Sequence, residues 1–161
     1  MSIEDLISLV QNASQSEISL EKVDNCNPQC ISVNGKDLID LMEILHSNEQ
    51  LYFDSLSCIT GIDLGAESSQ MEIIYNLYSI PFDRHLMVKV LVDRMKPVIS
   101  SVTSIWKAAN WHEREVYDLL GIQFEDHPDL RRILLPADWE GFPLRKDYKE
   151  QNYYRGVKVK Y

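Results

Sequence analysis

Two stretches of strict alternation constrain this chain more than any other feature. Met71, Ile73, Tyr75 and Leu77 recur at every second position, and so do Leu86, Val88, Val90 and Val92. A period of two puts each set on one face of a strand. Residues 81–83 turn the chain between them, so the strands pair as an antiparallel hairpin with one continuous apolar face. That face needs a cover, and two amphipathic segments can supply it. Ser2 can cap a short helix carrying Ile3, Leu6, Ile7 and Val10, and Asn34, with Asp37 three residues on, can cap a second with the stripe Leu38, Leu41, Met42 and Leu45. Residues 18–24 and 31–33 read as short strands around a loop at 25–29. Residues 51–62 read as another strand, and 65–70 as a turn. The expected fold is α+β, with helices packed on one side of a mainly antiparallel β-sheet.

A third helix is expected over residues 111–120. Asn110 and Glu113 have capping-box spacing, and Gly121 supplies a left-handed stop. Val116, Leu119 and Leu120 would face the sheet, Arg114 and Asp118 would pair one turn apart, and Glu115 lies off the apolar face. Beyond Gly121 the character changes. Pro128, Pro136 and Pro143 leave no room for a long helix, yet Phe124, Leu130, Ile133, Leu134, Leu135, Trp139, Phe142 and Leu144 are more apolar bulk than a disordered tail carries. This divides the chain into an α+β domain at residues 1–121 and an extended C-terminal arm at 122–161 that needs a surface to bury against. Arg131, Arg132, Arg145, Lys146 and Asp147 are the arm's candidate charged contacts to a partner protein, with Trp139 and Phe142 as apolar anchors.

Charge narrows the function classes. The chain has 161 residues and a formal net charge of -9, which argues against general nucleic-acid binding. From residue 129 onward eight bases face five acids, so the tail is basic on an acidic protein. No apolar run approaches the ~20 residues of a membrane-spanning helix. The acidic start at Glu4 and Asp5 is unlike a presequence, so a soluble cytosolic chain is expected.

Candidate active sites are weak. Cys26 and Cys30, spaced C-x3-C, could be drawn with Cys58, His46 or His85 as a zinc site, but the spacing is not that of a common finger, and reduced structural thiols are expected instead. Three cysteines are too few for a four-thiolate iron-sulfur cluster, and no phosphate-cradling glycine motif occurs. Glu113, Glu115 and Asp118, with His127 as a base, resemble an acid/base cluster. Capping by Glu113, pairing of Asp118 with Arg114 and ordering of the turn before Pro128 by His127 explain the same residues structurally.

The run EREVYDLLGIQFEDHPDLRRIL at residues 113–134 resembles the motif of the thirty-kilodalton subunit of respiratory complex I, the C subunit of bacterial NADH:quinone oxidoreductase. The match carries Glu113, Arg114, Glu115, Asp118, His127, Arg131 and Arg132. DWEGFPLRKDY at 138–148 is similar to the family's following segment, and Trp106 with Ala108 and Ala109 to the preceding one. Asp126 departs from it, since glycine is more usual before the histidine. The resemblance implies a non-catalytic peripheral-arm subunit that binds no cofactor itself, in a complex carrying FMN, iron-sulfur clusters and quinone. Its implied partners are the large quinone-pocket subunit and a neighbouring iron-sulfur subunit. Its implied place is the cytoplasmic side of the bacterial inner membrane, held there through the complex. The alternatives are an accessory subunit of a related membrane-bound hydrogenase or ferredoxin-linked oxidoreductase, and an independent small enzyme using Glu113, Glu115 and His127.

Overall fold

The computed structural model describes residues 1–14 and 16–159. Lys160 and Tyr161, the last two residues of the expected arm, lie outside them. Helix α1 (Ile3–Ala13) starts at Ser2, whose hydroxyl accepts from the Asp5 amide while the Asp5 carboxylate accepts from the Ser2 amide. This reciprocal cap satisfies two otherwise unpaired donors. Strands β1 (Leu20–Val23) and β2 (Cys30–Val33) form a hairpin, and a tight 3-10 turn (Gly35–Asp37) leads into α2 (Leu38–Ser47). The side-chain cap expected at Asn34 does not form. Its carbonyl instead accepts from the Asp37 amide at 3.0 Å, closing the tight turn through the backbone.

Strands β3 (Ser55–Asp63), β4 (Gln70–Ser79) and β5 (Arg84–Asp93) follow, then the short β6 (Val98–Ser100), helix α3 (Ala109–Leu120), β7 (Gln123–Glu125) and a terminal hairpin of β8 (Tyr153–Tyr154) and β9 (Val157–Lys158). The main sheet has the order β1-β2-β5-β4-β3. Its pairs are antiparallel apart from β2 with β5. In the central hairpin Met71 faces Val92, Ile73 faces Val90, Tyr75 faces Val88 and Leu77 faces Leu86, so both alternating sets share one face. That face, the α1 residues Ile3, Leu6 and Val10, and the α2 stripe Leu38, Leu41, Met42 and Leu45 form one buried core. Each such side chain contributes roughly 1.5–3 kcal/mol by leaving water.

Two local features seat α3 on this sheet. A bulge between Leu56 and Cys58 inserts Ser57, so Leu56 and Ile59, three residues apart, both reach the core. Further along β3, Gly61 opposes Ile73 and lies directly under α3. A Cβ there would sit 2.5 Å from Leu120 Cδ1 and 2.9 Å from Val116 Cγ1, so the helix rests where a side chain would be.

The fold continues past the boundary expected at residue 121. Strand β7 pairs in parallel with β6, and Ile122 and Phe124 are buried in the same core. Residues 122–125 therefore pack as part of the domain. Gly61→Val should displace α3 and lower stability by about 1–3 kcal/mol in chemical denaturation. An unchanged midpoint would mean that α3 does not rest on β3 as described.

Candidate functional site

The site is the C-terminal end of α3 and the arm folded over it. The start of the helix differs from expectation. It begins at Ala109, with Ala108 at the cap position and no side-chain cap, so Asn110 and Glu113 form no capping box. Asn110 uses its carbonyl to meet His127 Nε2 at 3.2 Å. Since His127 Nδ1 accepts from the Asp129 amide at 3.0 Å, the ring hydrogen belongs on Nε2. The histidine ties the turn to the helix, and the preceding Asp126 sits at φ 62°, a left-handed conformation in which glycine is the easy residue.

A helix leaves its last four carbonyls without intrahelical donors. Here the chain supplies all four. Gly121, at φ 75°, donates its amide to the Tyr117 carbonyl at 2.8 Å. Arg132 Nη1 donates to Asp118 O at 2.8 Å, the Leu144 amide to Leu119 O at 3.0 Å, and Arg145 Nε to Leu120 O at 2.7 Å. Two guanidinium groups thus meet the negative end of the helix dipole. Phe142 packs against both, with Arg132 and Arg145 at 5.2 and 5.0 Å from its ring centre, and its edge occupies the space a Cβ on Gly121 would need. Glycine at 121 therefore serves both the turn and the seat of the ring.

The Asp118 side chain holds the stretch of the arm that follows Arg132. It is fully buried, and its Oδ2 accepts from three successive amides, Ile133, Leu134 and Leu135, at 3.0, 2.7 and 2.9 Å, while Oδ1 accepts from Arg132 at 2.8 Å. Burial works to raise its pKa, but the Leu135 amide, Arg132 and the other two amides outweigh it and hold the carboxyl below its usual value. The expected Arg114–Asp118 pair is therefore absent. Arg132 lies closer to Asp118 in space, and Arg114 turns to the Arg131 carbonyl and the face of Trp111.

A second clasp was not legible as a site. Asp63 and Arg94, both nearly inaccessible, form a two-point ion pair at 2.8 and 2.9 Å, and Arg94 reaches Asp147 of the arm at 2.7 Å. The Lys146 amide and the Gly65 amide complete the shell of Asp63. The Arg94 guanidinium holds Asp63 well below the usual carboxylate range, against its burial. The one local hint was Asp63 two residues before Gly65, the spacing of an Asx turn.

The chain thus takes up Arg132, Arg145, Asp147 and Phe142 of the expected partner contacts internally. Trp139 is half-buried against Tyr154, with its Nε1 on the Tyr148 hydroxyl at 3.2 Å. Arg131 is exposed and, among the described residues, pairs with nearby Asp129, and Lys146 is exposed beside Leu64. The possible acid/base set does not assemble. Glu115 faces solvent, His127 is held by Asn110 and Asp129, and Glu113 points into the core. Among the described residues, no group of three or more His, Cys, Asp or Glu side chains is placed to hold a metal ion.

Glu113 is the unusual buried charge. It accepts from Ser101 Oγ at 2.6 Å and the Val102 amide at 2.8 Å, with the unpartnered hydroxyl of Tyr75 in the same interior. Burial pushes its carboxyl up to about 7, although both hydrogen bonds oppose this. A pKa above the unfolded value of 4.5 means the folded state binds the proton more tightly. Stability is then highest below the unfolded pKa and falls as pH rises through the folded one, by about 3 kcal/mol in total. Melting curves between pH 5 and 8 should show this decline, and Glu113→Gln should flatten it. The clasp at Asp118 makes a separate prediction. Asp118→Ala should cost about 3–5 kcal/mol and strip hydrogen-exchange protection from the Ile133, Leu134 and Leu135 amides, while the Tyr75 and Val88 amides stay protected against local opening.

Comparison with known proteins places this geometry. The family model described as respiratory-chain NADH dehydrogenase, 30 Kd subunit, matches residues 31–154, from β2 to the end of β8. The C subunit of NADH-quinone oxidoreductase from Chloroherpeton thalassium is 48% identical over 118 residues, covering 73% of this chain and 48% of that protein. The chain thus spans about half the length of that relative. The protein of the same name from Chlorobium phaeobacteroides is 47% identical over 123 residues, 76% of this chain and 74% of that one. Among solved structures, the trypsin-resistant fragment (1-134) of Nqo5 is similar with a TM-score of 0.60 and 26% identity, covering 81% of this chain and 100% of the fragment. A chain of the membrane-bound sulfane sulfur reductase, an archaeal respiratory membrane complex, shares the fold with a TM-score of 0.75 at 23% identity, over 91% of this chain and 85% of that one. With more than half its length inside the family model and its relatives this similar, the chain belongs to the family of the 30 kDa subunit of respiratory-chain NADH dehydrogenase.

Proposed function

We propose that this chain is a non-catalytic peripheral subunit of a proton-translocating NADH:quinone oxidoreductase. Its arm, already folded on α3, presents its outer side to the large quinone-pocket subunit and a neighbouring iron-sulfur subunit. The observation that carries this reading is how the arm divides its side chains. Arg132, Arg145, Asp147 and Phe142 are spent on holding the arm, whereas Leu134 and Leu144 remain 59% and 57% exposed, with Arg131 and Lys146 also exposed and Trp111 64% exposed on α3. Large apolar groups held out to water by an ordered segment, with basic groups among them, match the composition of interface cores.

Electron transfer from NADH through FMN and iron-sulfur clusters to quinone takes place in the partner subunits. This chain binds none of those groups and contributes by assembly. Among the described residues no helix is long and apolar enough to cross a membrane. In this reading the chain is held at the cytoplasmic side of the bacterial inner membrane through the complex.

The test uses exposed residues, so that folding and assembly separate. Leu134→Asp, Leu144→Asp and Arg131→Glu should each leave the melting transition within about 0.5 kcal/mol of the parent. Combined, they should weaken co-purification with the quinone-pocket subunit at least tenfold, equivalent to about 1.4 kcal/mol. Undiminished assembly of the triple variant would overturn the arm's role, and crosslinking in the purified complex identifies the neighbour directly. Turnover by the isolated chain, lost on Glu115→Gln, would overturn the non-catalytic assignment.

A further inference from the structure

Arg114 is buried without a counter-ion. It is 7% exposed, and among the described residues it forms no ion pair, whereas Arg94, at 5%, has Asp63 and Asp147, and Arg132 has Asp118. A charged side chain is almost never taken from water without such a partner. The acids of its own helix are committed elsewhere. Glu113 accepts from Ser101 and Val102 in the core, Asp118 is filled by Arg132 and three amides, and Glu115 is exposed.

The contacts that fix the guanidinium are neutral. Nε donates to the Arg131 carbonyl at 3.2 Å, and Cζ lies over the Trp111 ring, 5.1 Å from its centre and one turn back on α3. That is within the ~6 Å over which an aromatic face attracts a cation. Arginine carries five N–H donors. One is used here, so the Nη1–Nη2 end has no acceptor among the described residues. That end is not sealed inside, because the described side-chain atoms buried without any partner belong to Asp37, Tyr75 and Ser79. It opens at the surface, next to Trp111 at 64% exposure and the backbone of Arg131. A planar, positively charged fork held in one orientation with its end unfilled is suited to a carboxylate.

We propose that the Nη1–Nη2 end of Arg114 receives the carboxylate of an Asp or Glu side chain on the neighbouring subunit, with Trp111 as the apolar anchor beside the pair. The proposal rests on the reading of the arm's outer side as an interface. Two observations select a carboxylate carried by a protein over a free anion. The chain has a formal net charge of -9, and Glu115 is exposed at the next position of α3, so a small anion is repelled from this surface. A docked protein offsets that repulsion by burying apolar area, and Trp111 supplies it. Tryptophan and arginine are enriched where interfaces concentrate their binding energy, whereas a small anion would leave the indole in water. The partner's carboxylate completes a charge that the chain by itself leaves unpaired.

The experiment reads folding on the full chain and assembly in the purified complex. Arg114→Met removes a charge that has no partner in the chain, so the melting midpoint should stay level or rise while assembly weakens at least tenfold. Trp111→Ala, at an exposed position, should weaken assembly without a change in melting. In a complex assembled with Arg114→Lys, a carbodiimide should join the introduced amine to an Asp or Glu of the neighbouring subunit, found by mass spectrometry of the crosslinked peptides. A lower midpoint for Arg114→Met, or a crosslink confined to this chain's own acids, would make Arg114 a support of the arm and overturn the proposal. Inorganic phosphate or acetate should leave the melting of the full chain unchanged. A midpoint raised by either anion, and not raised in Arg114→Met, would identify a free-anion site and overturn it as well. Normal assembly of Arg114→Met and Trp111→Ala, beside impaired assembly of the variant combining Leu134→Asp, Leu144→Asp and Arg131→Glu, would overturn this site and leave the arm's interface standing. Normal assembly of that combined variant would overturn both.

Discussion

The buried carboxylate of Asp118 is the contact on which the arm's shape depends. One oxygen receives three consecutive amides, and the other receives Arg132, which also takes the carbonyl of the same residue. An ionised group can remain buried when most of its acceptor positions are filled by well-directed donors. Each part supports the other. The arm's backbone has no regular secondary structure to satisfy its amides over residues 133–135, and the cation that pairs with Asp118 comes from the arm, at Arg132.

The other arm contacts extend this logic to the end of α3. Gly121 stops the helix in the left-handed conformation, and the carbonyls that the stop exposes are taken by Arg132, Leu144 and Arg145. Phe142 fills the space above Gly121, and both arginines pack against its ring. Further along the arm, Asp147 and the Lys146 amide close on the Asp63–Arg94 pair. A segment without helices is thereby ordered by contacts within the chain itself. In a binding subunit this reduces the conformational entropy lost on association, since an unfolded tail would have to be ordered at that moment.

Glu113 shows what burial does to a carboxylate with fewer donors. It lies on the same helix as Asp118 and is just as inaccessible, yet it receives one hydroxyl and one amide instead of three amides and a guanidinium. Desolvation therefore prevails at Glu113 and is overcome at Asp118, so their pKa values move in opposite directions. The two acids look alike in the motif. Only their surroundings separate a core group that holds a proton near neutrality from an ionised peg for the arm.

The periodic features were legible because they are local. Alternation at Met71–Leu77 and Leu86–Val92, the stripe on α2, the Ser2 cap and the glycine stop at 121 each follow from a few neighbouring residues, and the motif at 113–134 carried the family. The contacts that order the arm were not legible, because they join residues far apart in the chain. Arg114 and Asp118 have the spacing of a helical pair, but Arg132 has the shorter path and an open carbonyl beside it. Asp63, Arg94 and Asp147 come from three separate regions, and no local period marks them as partners. Likewise β6 and β7 are too short to show a pattern, and their parallel pairing, which carries the domain past residue 121, depends on where α3 returns the chain. The sequence by itself determined the longer helices and strands, their apolar faces and the family, since these depend on side-chain period and type. Only the tertiary structure decided which arginine meets which carboxylate and which carboxylate keeps its proton, because charge pairing and desolvation depend on distance in space.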